Sequence, residues 1–286
     1  MAKTKPEYET YIASAKPAAR VVGMAAAVAA SAYKIEVRFL GGLTAPQKNA
    51  FKKAADRWAS VIVGDLPSVR VDGEVIDDLL ILAQGVPIDG PGRILGQAGP
   101  THLRPAVAGK FKFLPVKGIM SFDTADLAKM QADGTLKDVI THEMGHVIGI
   151  GTIWERLGLL KDAGKPTTRF TGANARREFG KLKKKKAMDV PVENTGGPGT
   201  ADGHWRETIF RNELMSGFIA APGNPLSRIT VASLQDMGYT VDLAKAEPYI
   251  LPDMFAMAAA GATTTHDEPH ALPVIPIVVP DSSLLP

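Results

Sequence analysis

The sequence predicts an α+β domain. A twisted mixed sheet with two long helices fills its N-terminal half, and loops and short helices fill its C-terminal half. Three observations carry this. Residues 34–40 (KIEVRFL) alternate polar and apolar, with Ile35, Val37 and Phe39 on one face, the pattern of a strand buried on one side. Residues 77–83 (DDLLILA) are nearly continuously apolar, as in a strand covered on both faces. Two helical stripes, 46–63 and 136–148, are interleaved with the strand patterns, an order that builds a mixed sheet with helices packed on it.

Taken in order, residues 1–33 read as an extension or pro-segment with no core pattern. Residues 21–32 are small and apolar, follow Arg20 and end in Ala30-Ser31-Ala32, so they partly resemble the apolar region of an export signal. After the first strand, Thr44 is an N-cap and Pro46 sits in the first turn of a helix. That helix aligns Phe51, Ala54, Ala55, Trp58, Ile62 and Val63. Residues 69–71, 93–98 and 118–122 are further short strands, with a turn at 89–92 (DGPG). Thr135 caps the second long helix, with Asp138 in a capping-box place, and Gly149 and Gly151 stop it.

From Leu159 to Asn194 the chain is charged and loop-rich, and residues 192–204 are dense in glycine. Short helices are expected over 207–214 and 230–237. From Pro248 onward the composition turns to Pro, Ala and Thr, which reads as an extended or disordered tail. The chain thus divides into 1–33 (extension), 34–151 (upper subdomain), 152–250 (lower subdomain) and 251–286 (tail).

A chain of 286 residues buries a core without staples, and its lack of cysteine excludes disulfides, thiolate metal sites and a cysteine nucleophile. The net charge of +3 comes from one run, Lys181 and Lys183 to Lys186, and the remainder is slightly acidic. That run reads as a solvated loop, so nucleic acid is not an expected partner. No stretch is long and apolar enough for a membrane span.

The chemistry concentrates in His142-Glu143-Met144-Gly145-His146. Histidines at i and i+4 share one helix face and can reach one zinc ion. Glu143 beside them can take a proton from water, the HExxH arrangement of zinc peptidases. Two surface histidines on an ordinary helix are the bland alternative. The helix break directly after the motif weighs against it. Catalytic zinc usually takes three protein ligands. His102 and His204 are both open as the third, while His266 and His270 fall in the tail. His204 is favoured because it follows a glycine-rich loop and precedes Trp205.

The segment HEMGHVIGIGTIW, residues 142–154, resembles the metzincin zinc peptidases, and their leishmanolysin-like branch in particular. The common pattern is HExxHxxGxxH. Gly149 matches its glycine, and Thr152 stands where the third histidine is expected. Leishmanolysin-like proteins place an insertion there. The segment ADGHWRETIFRNELMSGF is similar to their third-ligand and Met-turn region. The resemblance covers about residues 34–250. It implies a zincin-type fold with the two long helices above a cleft, and one catalytic zinc held by His142, His146 and His204. Glu143 would be the general base, and Met215 the Met-turn residue beneath the metal.

It further implies that Arg93, Ile94, Leu95, Gly96, Gln97 and Ala98 form the edge strand along which a protein or peptide substrate pairs. Gln97 stands where matrix metalloproteinases carry a histidine for a second zinc, which argues against that ion here. A calcium ion near Asp89 is a weaker implication. Action outside the cytosol is implied as well. The lack of cysteine departs from leishmanolysin itself and removes a cysteine switch. The activity expected is a metalloendopeptidase. The alternatives are a catalytically weak zinc-stabilised binding or adhesion protein on the same fold, and a non-peptidase metal hydrolase.

Overall fold

The computed structural model describes residues 7–15, 32–92, 94–219, 221–252 and 270–285. The upper half runs β1 (Glu9–Ser14), β2 (Lys34–Gly41), α1 (Ala45–Val61), the hairpin β3 (Val69–Val71) and β4 (Glu74–Ile76), β5 (Leu79–Val86), β6 (Ile94–Leu103), β7 (Pro115–Asp123), α2 (Thr124–Asp133) and α3 (Leu136–Ile148). The lower half holds β8 (Leu160–Lys161), β9 (Arg169–Phe170), α4 (Ala173–Leu182), β10 (Val190–Pro191), α5 (Glu207–Phe210) and α6 (Arg228–Met237). Two last strands, β11 (His270–Leu272) and β12 (Ile277–Val278), return to the upper half.

The main sheet is mixed, in the order β1-β2-β5-β7-β6-β11, with β12 also on β6. Strands β2, β5 and β7 are parallel, and β6 runs antiparallel to β7. The alternation read at 34–40 is realised: Ile35, Val37 and Phe39 are buried while their neighbours are partly exposed. The apolar run of β5 lies between β2 and β7, so Leu79, Leu80, Ile81 and Ala83 are all buried. Helix α1 buries Phe51, Ala54, Ala55 and Trp58, and Gln47 accepts a hydrogen bond from the Thr44 N–H at 2.8 Å.

Helix α3 is buried on every side except Lys137. It lies between α1, the sheet and the lower half. Trp58 Nε1 donates to the Thr141 carbonyl at 2.9 Å, and the Tyr239 hydroxyl donates to the Ile148 carbonyl at 2.8 Å. Its N-terminus departs from the capping-box expectation. Thr135 makes no side-chain cap. Asp138 instead accepts from the N–H groups of Gly223 and Asn224 at 2.6 and 3.1 Å, tying the helix to the lower half.

Both chain ends correct the sequence reading. Residues 9–15 are not an extension outside the fold. Strand β1 pairs antiparallel with all of Lys34 to Phe39, and Ala13, Ala15 and Tyr33 are buried. The tail is not disordered over 270–285: β11 and β12 pair parallel with β6, and Val279 is buried. Helices α2 and α4, in stretches read without helix, are the other additions. Residues 1–6, 16–31 and 253–269, and with them most of the signal-like run, lie outside the described residues.

Because Ala13 is 1% exposed and faces the core, Ala13→Asp should lower stability by about 2–4 kcal/mol. A urea midpoint equal to that of the wild type would mean that β1 is dispensable, as a removable extension would be.

Candidate metal centre

His142 and His146 stand one turn apart on α3, with Nε2 atoms 3.0 Å from each other. His204 comes from the loop between β10 and α5, and its Nε2 lies 3.1 Å from that of His142 and 2.9 Å from that of His146. All three rings are buried.

Their other nitrogens explain the clustering. Each Nδ1 faces a backbone carbonyl: Leu214 O for His142 at 2.7 Å, Ile150 O for His146 at 2.9 Å and Thr200 O for His204 at 2.9 Å. A carbonyl only accepts, so each Nδ1 carries the proton and each Nε2 presents a lone pair. Three converging lone pairs cannot hydrogen-bond one another. Together they could hold one metal ion, and three neutral imidazoles suit zinc. Burial pushes His142 and His146 down to about 3, which keeps both rings in the neutral, ligating form.

Glu143 opens into the same cavity, of about 650 Å³. Its Oε2 is buried with no hydrogen-bond partner among the described residues, and burial pushes the carboxyl up to about 8. Once ionised, that carboxylate is a stronger base toward a water proton than an exposed one.

The loops that supply the three carbonyls are themselves braced. Gly149 ends α3 at φ 114°, and the turn it makes aims the Ile150 carbonyl back at His146. Thr152, at the spacing of a third histidine, donates instead to the His146 carbonyl at 2.8 Å. Gly151, at φ 76°, lies against the backbone of Gly203, so no side chain fits there. Glu193 accepts from the N–H groups of Asn194, Thr195 and Glu207, and its own N–H donates to the His204 carbonyl at 2.8 Å. Burial opposes its charge, but the hydrogen bonds from Thr195, Glu207 and Asn194 hold its carboxyl below the usual range.

Met215 is fully buried beneath α3, and a Cβ on Gly145 would meet its sulfur at 2.8 Å. Its N–H donates to Glu213 Oε2 at 2.6 Å, and its carbonyl accepts from the Trp205 N–H at 2.9 Å. Glu213 Oε1 accepts from the Thr230 hydroxyl at 2.5 Å, which in turn accepts from Trp205 Nε1 at 2.8 Å. One buried carboxylate therefore couples the turn at Met215 to the residue after His204. Sequence reasoning missed both Glu193 and Glu213, which no local motif marks. Trp154 and Trp205 are packing residues, with ring centroids 4.7 Å apart.

The other candidates fall elsewhere. His102 pairs with the Thr101 hydroxyl at 2.9 Å and lies outside the cluster. His266 and the side chain of His270 are outside the described residues, as is Arg93. Ile94, Leu95, Gly96, Gln97 and Ala98 belong to β6, and Leu95 and Ala98 line the cavity. Their outer edge is already paired with β11. At the turn before β6, the Asp123 carboxylate accepts from Ile88, Asp89 and Gly90, and Asp126 accepts from Gly92. Among the described residues Asp89 joins no metal-binding cluster.

Three buried histidines that could hold a metal ion thus share one cleft with a buried glutamate. The comparisons refine this. The leishmanolysin family model matches residues 78–257, and the chain belongs to that peptidase family. Leishmanolysin of Leishmania donovani is 28% identical over 145 residues, which is 46% of this chain and 24% of that protein. The chain thus spans about a quarter of the length of that relative.

Two outcomes follow. Gly151→Ala should push the Gly203 backbone away, lower stability by about 2–4 kcal/mol and weaken zinc binding at least about tenfold. Competition against a chromogenic chelator measures this, and an unchanged affinity would contradict the brace. The second outcome concerns the metal-free protein. The two histidines contribute stability above their unfolded value of 6.5, lost as pH falls toward 3. Glu143 acts in the opposite sense: its contribution is complete below 4.5 and is lost as pH rises to about 8. Between pH 6.5 and 8, Glu143 alone of these three acts, and its own share of the stability should fall by about 1.4 kcal/mol per pH unit there. Urea midpoints of metal-free wild type and Glu143→Gln at the two pH values test it, since the wild type should fall more steeply than the variant.

Proposed function

We propose that the chain is a zinc-dependent endopeptidase, with His142, His146 and His204 as ligands and Glu143 as general base. The observation that carries this reading is the convergence of three Nε2 lone pairs in the cavity that also holds the unpartnered Glu143 Oε2. A zinc ion there supplies Lewis-acid polarisation of the scissile carbonyl and a more acidic water. Glu143 Oε2 accepts the water proton and returns it to the leaving nitrogen. Met215 packs under the ligand helix and touches no reacting atom. The main-chain groups of Ile94 to Ala98 are the edge on which an extended peptide is held by strand addition. Family membership supports a protein or peptide substrate. We place the activity outside the cytosol, on the family resemblance. No helix among the described residues is long and apolar enough to cross a membrane.

Glu143→Ala should retain one zinc per chain by metal analysis and lose about 10²–10⁴ in kcat/KM on a quenched-fluorescence peptide library. Chelation should abolish cleavage and added zinc restore it. A rate indifferent to either change would overturn the assignment.

A further inference from the structure

The edge of β6 that a substrate would use is occupied by the chain itself. In β11, His270, Ala271 and Leu272 pair in parallel with Ile94, Gly96 and Gln97. Leu272, Pro273 and Val274 line the same cavity as the three histidines and Glu143. Val274 packs on Gly99, where a Cβ would meet it at 3.0 Å. A peptide added to this edge needs the same N–H and C=O groups, so the two occupants exclude each other.

The segment is built unevenly. Its far end is an anchor. Val279 is 5% exposed among Val69, Val71, Ile76, Leu80 and Val116, its N–H donates to the Leu103 carbonyl at 3.0 Å, and the Leu285 N–H donates to the Ser68 carbonyl at 3.0 Å. The part over the cleft is loosely held: Leu272 is 48% and Ile275 91% exposed. The β11 ladder stops at Leu272 because Pro273 has no N–H to donate, and pairing resumes only at Ile277, after Pro276. The same prolines stiffen the stretch nearest the metal centre as an extended segment.

Resting on the peptidase reading, we propose that residues 270–274 are an intramolecular occupant of the substrate groove. They hold the folded chain in check until they are displaced, while residues 277–285 keep them tethered. Substrate binding is then weakened by the fraction of time the groove is filled.

The test uses the full zinc-loaded chain with three tail states: native, Leu272→Gly/Val274→Gly, and Gln97→Cys/Leu272→Cys. The last joins registered residues in an otherwise cysteine-free chain, so oxidation locks the strand and a reductant frees it. The first readout is affinity for a fluorescein-labelled peptide of residues 270–278, measured in a Glu143→Ala background. The second is cleavage of the quenched peptide library. Thermal melting checks that each variant is folded. The glycine variant should bind the labelled peptide about tenfold or more tightly than the native tail. The oxidised pair should lose binding and cleavage, and regain both on reduction. Equal affinity in all three states overturns the proposal. Cleavage that is equal in all three does so too, and leaves the peptidase reading standing. A gain in affinity without cleavage in any state upholds the occupant and sinks the peptidase reading.

Discussion

The structure depends on an arrangement that is unfavourable by itself: three imidazole lone pairs pointing at one another within 3.1 Å. Each ring has its Nδ1 proton committed to a carbonyl, so no proton is left to mediate between the three Nε2 atoms. A cation placed among the three atoms would offset their mutual repulsion. Keeping it together requires that the three carbonyls not move. They come from three separate turns: the break after α3, the loop before His204 and the turn before Met215. Each turn is fixed by something outside the metal centre. Gly149 supplies a left-handed C-cap, Glu193 gathers the loop around His204, and Glu213 holds the N–H of Met215.

Packing completes what the hydrogen bonds begin. Gly145 lets the Met215 sulfur and the Trp58 ring reach the underside of α3 between His142 and His146. The absence of side chains at Gly151 and Gly203 lets the loop before His204 lie on the turn that ends the helix. These approaches are backbone-limited, so they set position more sharply than flexible apolar contacts would. Helix α3 is consequently buried nearly all round. That is unusual for a segment carrying His, Glu and His, and it leaves the cavity as the opening to which those side chains turn.

What was legible in the sequence is what is local. The alternation of β2, the stripe of α1 and the span of α3 follow from periodicities of two and 3.6 residues. His142, Glu143 and His146 lie on one turn and are read from spacing. His204 is separated from them by an insertion, so residue chemistry favoured it while leaving His102 open, and the family resemblance pointed to it as well. Glu193, Glu213 and the orienting carbonyls were invisible because their partners are distant in sequence and backbone groups carry no sequence signature. Asp138 shows the opposite failure. Its position matched a capping box, but a long-range contact to residues 223 and 224 took its carboxylate. Strand β1 was missed because it is a short segment that gains its burial from pairing with β2 and packing on α1, both distant in sequence.

The tail was missed for a reason that also says what it does. A proline-rich run reads as unpaired because each proline deletes a ladder donor. Here the deletions make a strand that pairs in two short pieces, beside Ile94–Gln97 and beside His102–Leu103, with a gap opposite Gly99. Strand β6 must keep an open edge if peptides are to bind there, yet an open edge invites pairing with any other chain. Full coverage by a long regular strand would end that hazard and the binding function together. A strand interrupted by proline and anchored only at its distal end covers the edge against casual pairing, while its hold near the metal centre stays weak. The covering of the other sheet edge shows the contrast: β1 pairs with β2 over six consecutive residues without interruption, at an edge remote from the histidines where nothing needs to enter.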